Sequence, residues 1–306
     1  MNGVLIVDKP EGMTSHDVVR RVRRLAATRR VGHAGTLDPM ASGILPVAIG
    51  EGTRLVEFLM DGDKSYRTTL MLGEITDTQD AEGTIVERRP VVGITAEMVA
   101  DACTAFLGDI EQVPPMYSAL KRDGVPLYRL ARQGVEVERQ ARRVRIHRIE
   151  VIEVAPPLVT LEIDCTKGTY IRTLGHDLGL ALGTGAHLCA LRRTRCGVFG
   201  EADSLPLGQL EKDGLAGSSA FSSLENVLRN VPVAELTVSA ALRLLDGVSP
   251  DESGLSTTPA WPEGTVVALH HAGALRAVAR YAPSRSPEMR GSFELLRVFT
   301  RGHRPE

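Results

Sequence analysis

The sequence predicts an α+β fold with a mixed or antiparallel central sheet, followed by a small second domain. Three observations carry this prediction. Strand-like runs cluster along the chain instead of alternating strictly with helices, which argues against a doubly wound parallel sheet. Val159, Leu161, Ile163 and Cys165 alternate with Thr160, Glu162 and Asp164, the period-two pattern of a strand buried on one face. The stretch 212–222 shifts toward Gly, Ser and Ala and reads as a linker or mobile loop. The larger unit is therefore assigned to 1–230 and the smaller to 231–306.

The elements follow in order. Residues 3–7 read as a short buried strand. Thr14 and Asp17 make a capping-box-like start to a helix over 16–27, with Val18, Val22 and Leu25 as its inner stripe. Residues 31–50, rich in Gly and Pro, read as a long ordered loop with one apolar stretch, and 53–60 as a short helix. A strand is expected from Tyr66 to Leu72, a turn at Asp77–Gly83, a strand at 84–88 and a helix from Thr95 to Leu107. Residues 125–132 suggest a further helix closed by Gly134. Val144 begins a strand, a helix occupies 169–181, and a strand lies near 187–196. Beyond 231, a helix at 237–245 and three or four short strands complete the second unit. No repeat of 20–50 residues is present.

Composition excludes several classes. Of 306 residues, 43% are apolar and 24% charged, ordinary for a globular protein. No run approaches the roughly 18 apolar residues of a membrane span. The first eight residues lack a basic region and a long apolar stretch, so a signal peptide is not expected and a cytoplasmic location is. The cysteines at 103, 165, 189 and 196 form no C-x-x-C pair, which leaves zinc poorly supported and buried thiols as the expectation. The net charge of −2 does not announce a nucleic-acid binder, but its distribution is uneven. Residues 1–50 carry seven Lys or Arg against four Asp or Glu, whereas 201–250 carry three against seven. Of the 36 basic residues only five are Lys. Arginine suits phosphate and base recognition, although a GC-rich genome enriches it everywhere.

Three stretches could carry chemistry. In Gly32–Gly43, glycines permit close approach of another molecule, and Pro39 forces Asp38 away from helical geometry. Taken alone, an Asp before Pro in such a loop is ordinarily a turn former. Lys167–Leu174 ends a strand at a glycine turn and opens a helix with Tyr170 and Arg172. Taken alone, it is ordinarily a surface turn. Lys64-Ser65-Tyr66-Arg67 places a tyrosine on a strand, by default for packing. Two arginine-rich stretches could follow a phosphate backbone, or simply be solvated faces: Arg20, Arg21, Arg23, Arg24, Arg29 and Arg30, then Arg142, Arg143, Arg145 and Arg148.

Together these segments resemble the TruB family, the bacterial tRNA pseudouridine-55 synthases. The resemblance covers about residues 3–200. It rests on Val7–Ser15, Gly32–Gly43, Lys64-Ser65-Tyr66, Pro115–Lys121, Lys167–Arg172 and Leu191-Arg192-Arg193-Thr194, in family order and with family-like spacing. The resemblance implies a pseudouridine synthase catalytic domain in which Asp38 is the essential aspartate and Arg172 pairs with it. It further implies that Tyr66 stacks on the target uracil, that Tyr170 and Leu191 line the base pocket, and that His33 lies at the flipped nucleotides. Lys9-Pro10 matches a motif with a mainly structural role. Thr68 stands where the family often has Ala. The C-terminal unit resembles a PUA-type RNA-binding domain only faintly.

The implied reaction is an isomerisation, so no cofactor and no metal are expected, and neither a P-loop nor a dinucleotide fingerprint occurs. The expected partner is the T arm of tRNA, with no membrane and no small-molecule cofactor, and the expected state is a monomer. Two other classes compete. A non-catalytic RNA-binding or tRNA-folding protein would not need Asp38 or Arg172. A subunit of a guide-RNA particle usually has extra basic termini, whereas this chain starts almost at the first motif and ends soon after the last strand, favouring a stand-alone enzyme.

Overall fold

The computed structural model describes residues 1–215, 217–257, 260–285 and 291–299. β1 (Gly3–Lys9) is buried almost throughout because its neighbours cover both faces. α1 (Ser15–Leu25) starts at the expected capping box, in which Thr14 accepts from Asp17 N and the Asp17 carboxylate accepts from Thr14 N. Its buried stripe contains Val18, Val19 and Val22.

Residues 31–50 correct the sequence reading. Val31–His33 (β2) and Ser42–Ile49 (β3) are strands, and only 34–41 is loop. The run from Ile44 to Ile49 is buried because β1 flanks one edge of β3 while β2 and a later strand share the other. Gly43 and Pro46 there serve strand packing, not a turn.

A 3-10 segment at 50–55 leads into α2 (Val56–Met60) and then β4 (Lys64–Leu72). β5 (Glu74–Thr76) and β6 (Ile85–Arg88) flank the expected turn, and α3 (Ala96–Thr104) is capped by Thr95. β7 (Gly108–Gln112), β8 (Lys121–Arg122) and β9 (Val125–Pro126) precede α4 (Leu127–Arg132). α4 closes as foreseen. Gly134, at φ +71°, donates to Ala131 O, and Val135 N donates to Leu130 O, which satisfies two terminal carbonyls.

β10 (Arg142–Ala155), β11 (Leu158–Cys165), α5 (Ile171–Ala181) and β12 (Ala186–Cys196) follow, and their three strands join the central sheet. Its order runs β1–β3–β12–β4–β11–β10–β7. The β3–β12 pair is parallel and the others in that order are antiparallel, a mixed sheet.

The stretch 212–222 also departs from expectation. After β13 (Phe199–Gly200), β14 (Leu205–Pro206) and α6 (Leu207–Asp213), the chain returns to β1 instead of leaving the domain. Leu215 and Ala220 are buried, Ile6 N donates to Ala220 O, and β15 (Phe221–Ser222) pairs with β1. Its small residues suit tight packing: a Cβ on the facing Gly3 would meet Ser222 O at 2.4 Å.

α7 (Leu224–Val227) is followed by β16 (Val233–Glu235), α8 (Val238–Leu245), β17 (Val266–His271), β18 (Ala274–Tyr281) and β19 (Phe293–Val298). The last four strands form a separate sheet in chain order, packed on α8. This sheet shares an apolar core with the first. Ala268, Leu275, Val278 and Phe299 cluster with Ile6, Ile44, Phe199 and Leu228. Among the described residues, no helix is long and apolar enough to cross a membrane.

Candidate active site

Asp38 sits in the loop between β2 and β3, and that loop is bonded residue by residue. The carbonyls of Gly35 and Thr36 accept from the Arg193 guanidinium, at 3.2 and 3.4 Å. Leu37 exchanges two bonds with Ser15 Oγ at the start of α1, at 2.8 and 3.0 Å. Asp38 O accepts from Ala41 N, and Pro39 O accepts from both Gly12 N and the Lys9 ammonium. The backbone bearing the carboxylate is thus held on both sides, as a pre-organised site requires.

The carboxylate meets Arg172 from the first turn of α5. Arg172 Nε lies 2.9 Å from Asp38 Oδ2, an ion pair whose N–H is not aimed along the contact. Arg172 itself is buried. Its Nη1 donates to Asp80 Oδ2 (3.1 Å) and Thr78 O (3.0 Å), and its Nη2 donates to Tyr117 O (2.7 Å). The planar fork therefore ties two further segments of chain, the 78–80 turn and Tyr117, to the Asp38 loop. The Asp38 side chain remains 34% exposed. Burial nevertheless raises its pKa above the ordinary aspartate value; Arg172 and Lys9 oppose this and Asp80 reinforces it.

Asp80 escaped the sequence reading. An acid in a turn that ends at glycine is ordinary, and its side chain is engaged locally by Thr78 Oγ1 and Glu82 N. Only the bond from Arg172 marks it. Lys9 is likewise fully buried, donating to the carbonyls of Pro10, Met13 and Pro39, and desolvation lowers its pKa to about 8.

Tyr66 lies on β4, directly across from Arg193 on β12. Thr68 and Leu191 form the next like-facing pair, and all four residues are buried. Burial pushes the Tyr66 hydroxyl up to about 12, although neighbouring Arg193 pulls it down. The phenol is therefore protonated at working pH. Tyr170 precedes α5, and its backbone is clamped by Gln112, which donates to Tyr170 O at 3.1 Å and accepts from Tyr170 N at 2.8 Å. Burial raises its phenol pKa too, with Asp38 among the nearby charges. His33 ends β2, edge-on to His16 with ring centroids 6.2 Å apart. Among the described residues its Nδ1 is buried without a hydrogen-bond partner, and its pKa is lowered by burial, then by His16 and Arg193, so the uncharged ring is favoured at neutral pH.

The structure thus gathers Asp38, Arg172 and Tyr170 in one cluster, and Tyr66, Leu191 and His33 around Arg193. The arginine-rich stretches are less available than their sequence suggests. Arg20 pairs with Asp17, Arg21 with Glu211 and Arg30 with Glu51, while Arg143 and Arg145 share Asp109 and Arg148 meets Glu150, Glu162 and Asp164. Among the described residues, no ion pair neutralises Arg24, Arg29 or Arg142.

If Tyr66 stacks on the target base as the family resemblance implies, Tyr66→Phe is expected to retain most single-turnover activity and Tyr66→Leu to lose it, since a ring alone suffices for base stacking worth about 1–3 kcal/mol. Equal loss in both, with binding intact, would assign chemistry to the hydroxyl.

Residues 23–171 match the model of the TruB family pseudouridylate synthase N-terminal domain, and 172–234 that of the tRNA pseudouridylate synthase B C-terminal domain. The tRNA pseudouridine synthase B of Syntrophotalea carbinolica is 50% identical over 303 residues, 99% of each chain. That of Geobacter sulfurreducens is 43% identical, covering 98% of this chain and 100% of its own. Among solved structures, a chain of an H/ACA RNP bound to a substrate RNA containing 2'-deoxyuridine superposes with a TM-score of 0.74 at 27% identity, covering 99% of this chain and 86% of its own. A chain of a Cbf5-Nop10-Gar1 complex gives 0.74 at 29% identity, covering 97% and 84%. The chain belongs to the TruB family of pseudouridylate synthases.

Proposed function

We propose that this protein isomerises the T-loop uridine of tRNA, position 55, to pseudouridine, with Asp38 as the carboxylate that does the chemistry. The observation that carries this reading is the Asp38–Arg172 pair, held at the open end of a bonded loop in a chain half identical to a tRNA pseudouridine synthase B. In the reaction the N1–C1′ bond breaks, the uracil turns, and a C5–C1′ bond forms. The proton on C5 leaves as N1 gains one, so nothing is oxidised or reduced overall.

The target base must leave its stack to reach a cleft, and Tyr66 offers the aromatic surface that receives it. Tyr170 and Leu191 line its pocket, and His33, neutral at working pH, fills the space the base vacates. Arg172 takes one oxygen of Asp38 and leaves the other toward the cleft. From there the carboxylate can attack C1′, add to C6, or take a proton from C2′.

The higher identity to tRNA enzymes than to guide-RNA particle chains supports a stand-alone enzyme. We further assign 1–230 to the synthase unit and 231–306 to a PUA-like RNA-binding unit, in a cytoplasmic monomer. Purified protein is expected to convert the T-loop uridine of an unmodified transcript in EDTA, with no added cofactor, as read by pseudouridine mapping. A strict metal requirement with the RNA shown to be folded would overturn the cofactor-free reading.

A further inference from the structure

We infer that Arg193 is a positioning residue that locks the Asp38 loop and the Tyr66 ring into one rigid unit, so that base platform and carboxylate keep a fixed separation. This rests on the synthase reading above and adds to it a residue outside the Asp38–Arg172 pair.

Arg193 is among the largest fully buried side chains, 1% exposed. Its guanidinium donates to three backbone carbonyls, Ile44 O from Nε at 2.7 Å, Thr36 O from Nη1 and Gly35 O from Nη2, and it also hydrogen-bonds the Tyr66 side chain. Burying a cation without a carboxylate beside it is costly, and packed apolar residues commonly serve stability as well or better. The side chain therefore needs a reason beyond filling the core, and its bonds supply one. Two of them grip residues 35–36, separated from Asp38 by Leu37 alone, and the third grips β3, the strand that the loop enters.

The surrounding strands are shaped for this contact. On β12, Arg193 lies between Gly43 of β3 and Tyr66 of β4. Gly43 has φ +102°, and a Cβ there would meet Arg193 O at 2.2 Å, so only glycine lets β3 approach closely enough. Gly35 has φ +93°, and a Cβ there would lie 3.5 Å from Arg193 Nη1. Neither partner strand can therefore drift without breaking a bond or a close contact. Arg193 also stands near enough to Tyr66 and His33 to shift the titration of both. One guanidinium thus links the loop to β3 and to the strand partner Tyr66, while Arg172 serves the carboxylate itself.

Lysine keeps the charge but offers one nitrogen, which cannot span Ile44 O and the two loop carbonyls with planar geometry. The test uses the full chain with unmodified tRNA transcript, measuring single-turnover rate, tRNA affinity and thermal melting for Arg193→Lys and Arg193→Gln. Both variants are expected to lose at least about thirtyfold in rate while Kd changes less than about threefold, because phosphate contacts elsewhere set affinity. A near-normal rate in Arg193→Lys would overturn the inference. So would an affinity loss matching the rate loss, which would mark a global or RNA-contact role. Should neither variant fold, Gly35→Ala strains the same loop through its φ of +93°, with the new Cβ facing the Arg193 guanidinium, and leaves the buried arginine in place. Its expected result is the same rate loss with retained binding, and an unchanged rate would overturn the inference. Turnover by the unsubstituted protein in the same assay tests the synthase reading separately.

Discussion

Asp38→Asn is expected to abolish turnover, a loss of at least about 10⁴-fold on the scale of removing a single essential catalytic group. Affinity for tRNA should stay within about tenfold, because phosphate contacts, not one carboxylate, dominate RNA affinity. Melting temperature should not fall. Burial raises the Asp38 pKa, so the folded protein disfavours the ionised form at neutral pH. That cost is present above the raised pKa and is relieved as pH falls through it, and the neutral amide removes it at every pH. The same sign governs activity: the rate should decline on the acid side at a pH above the ordinary aspartate range, as the required carboxylate takes up a proton. Tritium release and filter binding on one preparation, with a melting curve, check all three expectations. Retained turnover in the asparagine variant would refute the role of Asp38.

Arg172→Lys is expected to lose activity by about 10²–10³-fold although the charge is kept, on the scale seen when a pre-organised electrostatic donor is removed. The family resemblance implied that Arg172 pairs with Asp38. The structure shows the fork divided, with Nε at Asp38 and the terminal nitrogens at Asp80, Thr78 O and Tyr117 O. A single ammonium cannot serve those positions together, so Asp80, 3% exposed, is left poorly compensated. Breaking a buried pair of this kind costs about 3–5 kcal/mol, so the melting temperature should fall as well. A near-normal rate in the lysine variant would reduce the role of Arg172 to simple charge balance.

Local signals carried much of the reading. The Thr14–Asp17 box, the alternation from Val159 to Cys165 and the Gly134 closure each depend on neighbours within a few residues, and each appears where expected. The reading failed where distant chain segments decide the outcome. Gly43 and Pro46 look like turn formers until β1 and β12 are seen beside them. The small residues of 212–222 look like a linker until β1 closes on them. Arginines that look free for phosphate find acids on other strands, as Arg143 and Arg145 find Asp109.

The site divides along the same line. Sequence by itself determined the family pattern and the residue types, from Asp38 before Pro39 to Tyr170 and Arg172 at a helix start. Those rest on order and spacing, which a linear chain displays. Tertiary structure alone decided that Asp80 meets Arg172 across 92 residues of chain and that Arg193 reaches back 158 residues to Gly35. A charge looks the same in a sequence whether it faces water or the core. Only the packing of β3, β12 and β4 against one another turns Arg193 from an ordinary strand arginine into a buried clamp.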